Sequence, residues 1–290
     1  MSAIHEVAAR QAEWAATADR LKRSFQRGRW TNLMLMIVAA LFAAVASQLD
    51  GAPRLILAST SAVLFGIVTF LTTRLVTAAN AQEWVRARAA SEALKRLAYT
   101  YAAAAAPYDD TGTRDDTLKA AARQIQRQVD HLLARRVSAP PDSRLTQALT
   151  PADYVEQRAA AAAAWYDQRA DDYSAVVRRL RRIEFVLALA TAVVTAVAGA
   201  LGKQAGSFDF VALTAVLTTI SGAILAHVEA ARYDYLIVTY RASALQLRDA
   251  LADEPAKLAP ASPAWSAFVQ ACERLIATEN GSWVMKMAMP

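Results

Sequence analysis

Residues 30–49 read WTNLMLMIVAALFAAVASQL and residues 55–73 read LILASTSAVLFGIVTFLTT. Residues 185–202 read FVLALATAVVTAVAGALG and residues 210–226 read FVALTAVLTTISGAILA. None of the four contains Lys, Arg, Asp or Glu. A bilayer core about 30 Å thick is crossed by roughly 20 apolar helical residues, within a range of about 17–25, and every stretch fits. They form two close pairs, and polar, helix-prone sequence separates the pairs. The expected fold is an all-α membrane protein: two tandem transmembrane helical hairpins (four spans), with long helices extending into a cytoplasmic helical bundle.

Composition agrees. Of 290 residues, 55% are hydrophobic, and only 9 are Gly and 9 Pro, which suits long helices better than sheet. The net charge of +6 invites a nucleic-acid reading. Placement argues against it, because the basic residues cluster at the feet of the spans: Lys22, Arg23, Arg27 and Arg29 before the first, Arg178, Arg179, Arg181 and Arg182 before the third. Only Arg54 and Lys203 of the 32 basic residues lie in the loops inside the pairs. The positive-inside rule then puts both termini and the central segment in the cytoplasm. A multi-pass membrane protein follows, with the lipid bilayer as partner and no nucleic acid. The first span follows a charged amphipathic segment and lacks a convincing cleavage site, so it is expected to remain as an anchor. The lone Cys272 forms no internal disulfide and reads as an inert thiol.

The halves repeat one plan. Residues 2–29 read as a helix entering span one. Asp50-Gly51-Ala52-Pro53 turns the chain, and span two is expected to continue unbroken to Ala106. Pro107-Tyr108 ends it, and an amphipathic helix follows over about 113–137. The reading in chain order is a first hairpin domain over 1–137, a linker over 138–149 containing Pro140-Pro141, and a second hairpin domain over 150–290. Thr150-Pro151-Ala152-Asp153 is a helix start, with a Thr cap, Pro at the first position and an acid in the first turn. That helix runs into span three; Gly199, Gly202 and Gly206 mark the outer turn; span four is expected to continue through Tyr240 to about Asp253. Ser262-Pro263 starts a last helix that Gly281 should stop. Trp14 and Trp165 are related by an offset of 151, as are Glu83-Trp84 and Asp234-Tyr235, which points to an internal duplication.

Catalytic patterns are missing. His5, His131 and His227 have no Cys or His partner at metal-ligand spacing, and there is no phosphate-binding Gly loop or nucleophile elbow. No enzyme activity, no metal and no cofactor are expected. With no ionisable group inside the spans, an ion-coupled carrier is disfavoured.

Small and hydroxyl residues are frequent instead. Ala58, Ala62 and Gly66 on span two, Thr191, Thr195 and Gly199 on span three, and Thr218, Gly222 and Ala226 on span four each repeat at four-residue spacing. Such faces let helix backbones approach, either inside a hairpin or between protomers of a homo-oligomer. Thr69, Thr72 and Thr73, with Thr214, Thr218 and Ser221, are candidates to line a narrow polar conduit. Ser and Thr also bond their own helix carbonyls, which is the alternative. The aromatics Trp14, Trp84, Tyr99, Tyr101, Trp165, Tyr166, Tyr233, Tyr235 and Tyr240 are expected to fill the core of a helical stalk, with a ligand pocket as the second reading.

The second half resembles the SLATT effector family of two membrane helices flanked by long cytoplasmic helices. The carriers are Trp165-Tyr166 before an Arg-rich run, Tyr233-Asp234-Tyr235 and Tyr240-Arg241-Ala242 after span four, and Glu279 with Trp283. The first half is similar to a sister two-span domain, through Trp14, Glu83-Trp84, Arg88-Ala89-Ala90-Ser91-Glu92-Ala93-Leu94-Lys95 and Pro107-Tyr108. The resemblance implies a bacterial inner-membrane effector of conflict or defence, multi-pass, that forms pores or depolarises the membrane. Its trigger would be a cytoplasmic sensor protein or a nucleotide second messenger. The alternative is a membrane scaffold or signalling protein with no pore that docks a cytoplasmic partner.

Overall fold

The computed structural model describes residues 2–74, 77–201, 204–205 and 208–287, with side chains at all of these except 201, 204–205, 208 and 278–287. The elements are α1 (Ala3–Ser47), α2 (Gly51–Arg74), α3 (Ala78–Ala102), α4 (Arg114–Gln128), a one-turn α5 (Pro151–Tyr154), α6 (Ala161–Leu201), α7 (Phe210–Ala231), α8 (Tyr233–Ala252) and α9 (Pro263–Met287). The only strands among the described residues are β1 (Gln204–Ala205) and β2 (Phe208–Asp209), a two-residue antiparallel ladder. The all-α fold with four long apolar helices stands as the sequence indicates, and helices within Ala3–Ser47, Gly51–Arg74, Pro151–Ala200 and Phe210–Ala252 are long and apolar enough to cross a membrane. Exposure agrees with lipid as their solvent: Leu55 is 70% and Phe185 66% exposed, contacts that water would penalise.

The two inbound helices are continuous and the two outbound ones are not. Helix α2 stops at Arg74 and α3 begins at Ala78, so the unbroken run expected from span two to Ala106 is corrected; residues 75 and 76 lie outside the described ones. Helix α7 likewise ends at Ala231, because Arg232 takes a left-handed φ of 51° before α8 begins. No Gly or Pro marks this break, and a left-handed Arg costs on the order of 1 kcal/mol. Neighbours flank it: the Tyr233 ring packs tilted against Tyr173 at 5.5 Å, and Asp234 pairs with Arg181 at 2.6 Å. Two smaller corrections follow. The helix expected over 113–137 is split at Val129 into α4 and a 3-10 helix (Asp130–Arg135), and α9 runs past Gly281 to Met287. Gly199 lies within α6, while Gly202 and Gly206 lie outside the described residues.

The chain divides into two compact units that each draw on both halves of the sequence. The first contains residues 1–24, 78–170 and 237–290. Its core is set by fully buried Trp14, Leu94, Leu118, Tyr154, Leu247 and Trp265, and α3 packs along α4 and α9. The predicted start at Thr150 is a complete capping box: Thr150 Oγ1 accepts from Asp153 N at 3.2 Å, and Asp153 Oδ2 accepts from Thr150 N at 3.1 Å. At the other end Ser262 Oγ accepts from Trp265 N at 3.1 Å, and the Trp265 indole N–H donates to the Ala103 carbonyl at 2.8 Å.

The second unit contains residues 25–77 and 171–236. Helix α7 is its centre: Val216, Ile220, Ile224 and Val228 repeat at four-residue spacing and pack with Ala40 of α1 and Leu180 of α6. Helix α2 is peripheral, burying only Ser61 and Val68. It is held by Ser61 Oγ, which donates to the Ala39 carbonyl at 2.8 Å where small Ala39 and Ala40 let the backbones approach. Where α1 ends and α7 begins, Gln48 clasps Asp209 twice, donating to its carbonyl at 3.0 Å and accepting from its amide at 2.9 Å. The Asp209 carboxylate in turn caps α7, accepting from Val211 N and Ala212 N.

Candidate functional site

In the second unit the small-residue faces are not the packing faces. Ala58, Ala62 and Gly66, and likewise Thr195, Gly199, Thr218, Gly222 and Ala226, are exposed, while Thr191 is half-buried. A Cβ added at Gly66, Gly199 or Gly222 would meet nothing within 4 Å. The face of α2 that does pack runs through Ser61 and Val68, one register over from the Ala58-Ala62-Gly66 row. The conduit candidates divide between exposed and half-buried positions. Thr69, Thr72, Thr73 and Thr218 are exposed, and Thr214 and Ser221 are half-buried. Their hydroxyls turn inward to their own helices: Thr69 donates to Phe65 O, Thr72 to Val68 O, Thr214 to Phe210 O and Thr218 to Thr214 O, all at 2.9–3.0 Å. Thr73 does the same with Thr69 O and Phe70 O. The donors of these five threonines are thereby satisfied.

In the first unit the motif residues converge. A cavity of about 380 Å³ is lined by Asp19 and Lys22 of α1, Trp84, Arg88, Glu92 and Lys95 of α3, Trp165 and Arg169 of α6, and Tyr240 of α8. A second cavity of about 290 Å³ shares Arg88, Glu92, Lys95 and Trp165 with it. The α3 residues reach one wall because 84, 88, 92 and 95 repeat at helical spacing. Arg88 and Glu92 pair at 2.7 Å. Trp165 is 42% exposed, and Tyr166 and Tyr240 pack against it with centroids at 5.3 and 5.7 Å. Its duplication partner Trp14 is instead fully buried, its indole N–H donating to Gln126 Oε1 at 3.3 Å. Burial, with Arg88 and Arg169 nearby, pushes the Lys22 ammonium below its ordinary range against a weaker pull from Asp19. Burial also lowers Lys95, against the pull of Glu92. Among the described residues neither lysine forms an ion pair.

Other motif residues are dispersed. Glu83 pairs with Arg135 at 2.5 Å, and Arg241 is exposed. Tyr235 is half-buried in the second unit. The side chains of Glu279 and Trp283 lie outside the described residues. Among the described residues no group of three His, Cys, Asp or Glu side chains is placed to hold a metal ion.

One buried polar cluster leaves no signal in the sequence. Arg158 reaches Glu273 through two hydrogen bonds, Nε to Oε1 at 2.8 Å and Nη2 to Oε2 at 2.7 Å, and the side chains are only 6% and 3% exposed. Tyr154 donates to the same Glu273 Oε1 at 3.0 Å, and the Arg158 guanidinium lies over the Tyr99 ring at 4.7 Å. Burial works against the Arg158 charge, but the Glu273 carboxylate outweighs it and raises the guanidinium pKa. Burial and Glu273 together raise Tyr154 well above the ordinary phenol range. Arg158 comes from a π-helical turn (Val155–Ala160), which no side-chain pattern announces.

Residues 154–283 match the family described as SMODS and SLOG-associating 2TM effector domain 1, and residues 12–116 match a family described as a protein of unknown function, DUF4231. No curated protein and no solved structure matches the chain. The chain is a multi-pass membrane protein whose C-terminal half is similar to the SLATT-type two-transmembrane effector domains and whose N-terminal half carries a second, related domain.

Proposed function

We propose that this protein is a non-enzymatic bacterial defence effector that assembles in the inner membrane, termini in the cytoplasm, and depolarises the cell when triggered. The observation that carries the reading is the set of uncovered small-residue faces on α2, α6 and α7, in a chain similar to a membrane effector domain. Lipid tails are as apolar as these helices, so close backbone packing, not hydrophobic burial, drives helices together in a bilayer. Three such faces on one protomer suit association with further copies. The hydroxyl rows on α2 and α7 would then be gathered around a shared axis. A trigger from a sensor protein or nucleotide would act through α1 and α6, whose unbroken helices contribute to both compact units.

A scaffold without a pore is the second reading. It is favoured by the hydroxyls that donate to their own helix carbonyls, since those donors are already satisfied. Induced expression in a bacterial host with a voltage-sensitive dye separates the two. The effector reading expects depolarisation before growth arrest, abolished by Gly66→Leu with Gly222→Leu, and an oligomer in native detergent that the same changes dissolve. A monomer in detergent, with a polarised host after the trigger system is co-expressed, rejects it.

A further inference from the structure

We infer that α6 carries a docking site for an anionic phospholipid, with Arg178, Arg179 and Arg182 on the headgroup phosphate and the acyl chains laid along Phe185, Val186 and Leu189. The positive-inside rule accounts for the number of cations at the foot of a span, and it is indifferent to the side of the helix on which they stand. Here the side is specific. At about 100° per residue, Val176, Leu180 and Leu187 fall on one face of α6, and that face packs with Val216, Ile220 and Ile224 in the core of the second unit. Arg178, Arg182, Phe185 and Leu189 fall on the opposite face, flanked by Arg179 and Val186. All six are exposed, the three apolar ones by 56–66%. One strip of surface therefore runs from guanidinium groups straight onto side chains whose solvent is lipid.

The nearby acids do not neutralise these cations. Arg181 stands off the strip and takes Asp234, at 2.6 Å. Glu184, two residues from Arg182, is about 160° round the helix from it. Among the described residues Arg178, Arg179 and Arg182 form no ion pair. Arg178 and Arg182 are like charges at i, i+4, and Arg179 and Arg182 at i, i+3, and both spacings oppose the helix. A phosphate diester among them removes the repulsion and accepts charge-assisted, two-pronged hydrogen bonds. Phe185 begins three residues, about 4.5 Å, beyond Arg182 along the axis, the offset that a glycerol unit puts between a phosphate and its acyl chains. A soluble phosphate would leave the apolar part of the strip unmatched, and a neutral lipid would leave the three charges unmatched. Helix α1 lacks the arrangement: within the second unit it supplies only Arg27, which is exposed, and Arg29, which donates to the His227 carbonyl at 3.1 Å.

The test uses the full chain in neutral detergent. Phosphatidylglycerol and phosphatidylcholine are titrated separately, and bound lipid is counted by native mass spectrometry with thermal melts in parallel. Phosphatidylglycerol is expected to bind saturably and raise the melting temperature, and phosphatidylcholine is not. Arg178→Gln, Arg179→Gln and Arg182→Gln are each expected to weaken that binding about fivefold, and the triple variant about 100-fold, the contribution of one and of three cations at a membrane surface. The single variants keep most of the charge at this foot and serve if the triple variant does not fold. Arg27→Gln is expected to leave the affinity nearly unchanged. Equal binding of the two lipids, or unchanged affinity in all three single variants, overturns the assignment. A loss with Arg27→Gln as large as with Arg182→Gln also overturns it, because a diffuse positive field and not a site would then hold the lipid. Displacement of the bound lipid by millimolar glycerophosphate assigns the arginines to a soluble phosphate and rejects the lipid. The inference rests on the membrane reading of α6 and not on conduction, so it stands or falls apart from the effector reading.

Discussion

Replacing Glu273 by Gln tests whether the buried Arg158–Glu273–Tyr154 cluster holds the first unit together. The Gln carbonyl can still accept from Tyr154 Oη and Arg158 Nε, the bonds now at 3.0 and 2.8 Å. Its amide would face Arg158 Nη2, donor against donor, in place of the bond at 2.7 Å. One charged hydrogen bond disappears, worth about 1.5–3 kcal/mol, and a buried guanidinium loses its counter-charge. Breaking a buried pair from one side costs about 3–5 kcal/mol in all. For a domain of this size each kcal/mol moves the melting midpoint about 2–4 °C, so the expected fall is about 6–20 °C. Cys272 supplies the assay. It is the single cysteine of the chain and is buried beside Glu273; burial, then the Glu273 charge, pushes its thiol up to about 12. A maleimide dye that fluoresces on reaction therefore stays dark until this unit opens. The triple variant Arg158→Met, Tyr154→Phe, Glu273→Leu removes both charges and the orphaned hydroxyl, and should regain most of the loss. A midpoint within about 2 °C of wild type for Glu273→Gln, or a triple variant no more stable than the single, refutes the reasoning.

Thr150→Ala should lower the same dye midpoint by an amount matching about 0.5–2 kcal/mol, with Thr150→Ser close to wild type, because the capping box loses its acceptor. Lys95→Met should stabilise the protein most at neutral pH. A lysine whose folded pKa is lowered binds its proton more weakly in the native state, so wild-type stability rises as pH climbs toward the ordinary value of about 10.4 and the advantage of the variant shrinks with it; a gap that stays constant up to that pH, measured by thermal melts, would discredit the burial argument. Ser61→Ala should cost about 0.6 kcal/mol, and no more than about 1.7, the range of single hydrogen bonds between membrane helices, read as the heat sensitivity of the detergent-solubilised protein.

The spans, the all-helical fold and the cap at Thr150 were legible because each rests on local rules: apolar length, charge at the span ends, and a four-residue capping pattern. The breaks after Arg74 and at Arg232 were not, since no Gly or Pro stands there and tertiary contacts at Tyr233 and Asp234 flank the second one. Helix periodicity marks rows of small residues, but periodicity alone does not choose among faces. Ser61, one position from Ala62, makes the packing contact because it meets the alanines of α1. The motif residues Arg88, Glu92, Trp165 and Tyr240 were named from resemblance, and the fold brings them to one cavity. In the sequence Lys22 is one of a cluster of charges at a span end, and the Arg158–Glu273 pair, 115 residues apart, leaves no local signal.

The clasp between Gln48 and Asp209, and the packing of Ala40 against Val216 and Ile220, join residues from opposite halves of the chain. Arg158 and Leu94 share their own unit across the same divide. Severing the polypeptide within residues 138–149 should therefore yield complementary fragments, not two autonomous domains. Co-expressed, they would have to find each other as a split protein does, each supplying what the other lacks. The tandem thus also fixes a ratio: any ring built from whole chains contains the two kinds of hairpin in equal number, so its true symmetry is half of what a count of hairpins would suggest.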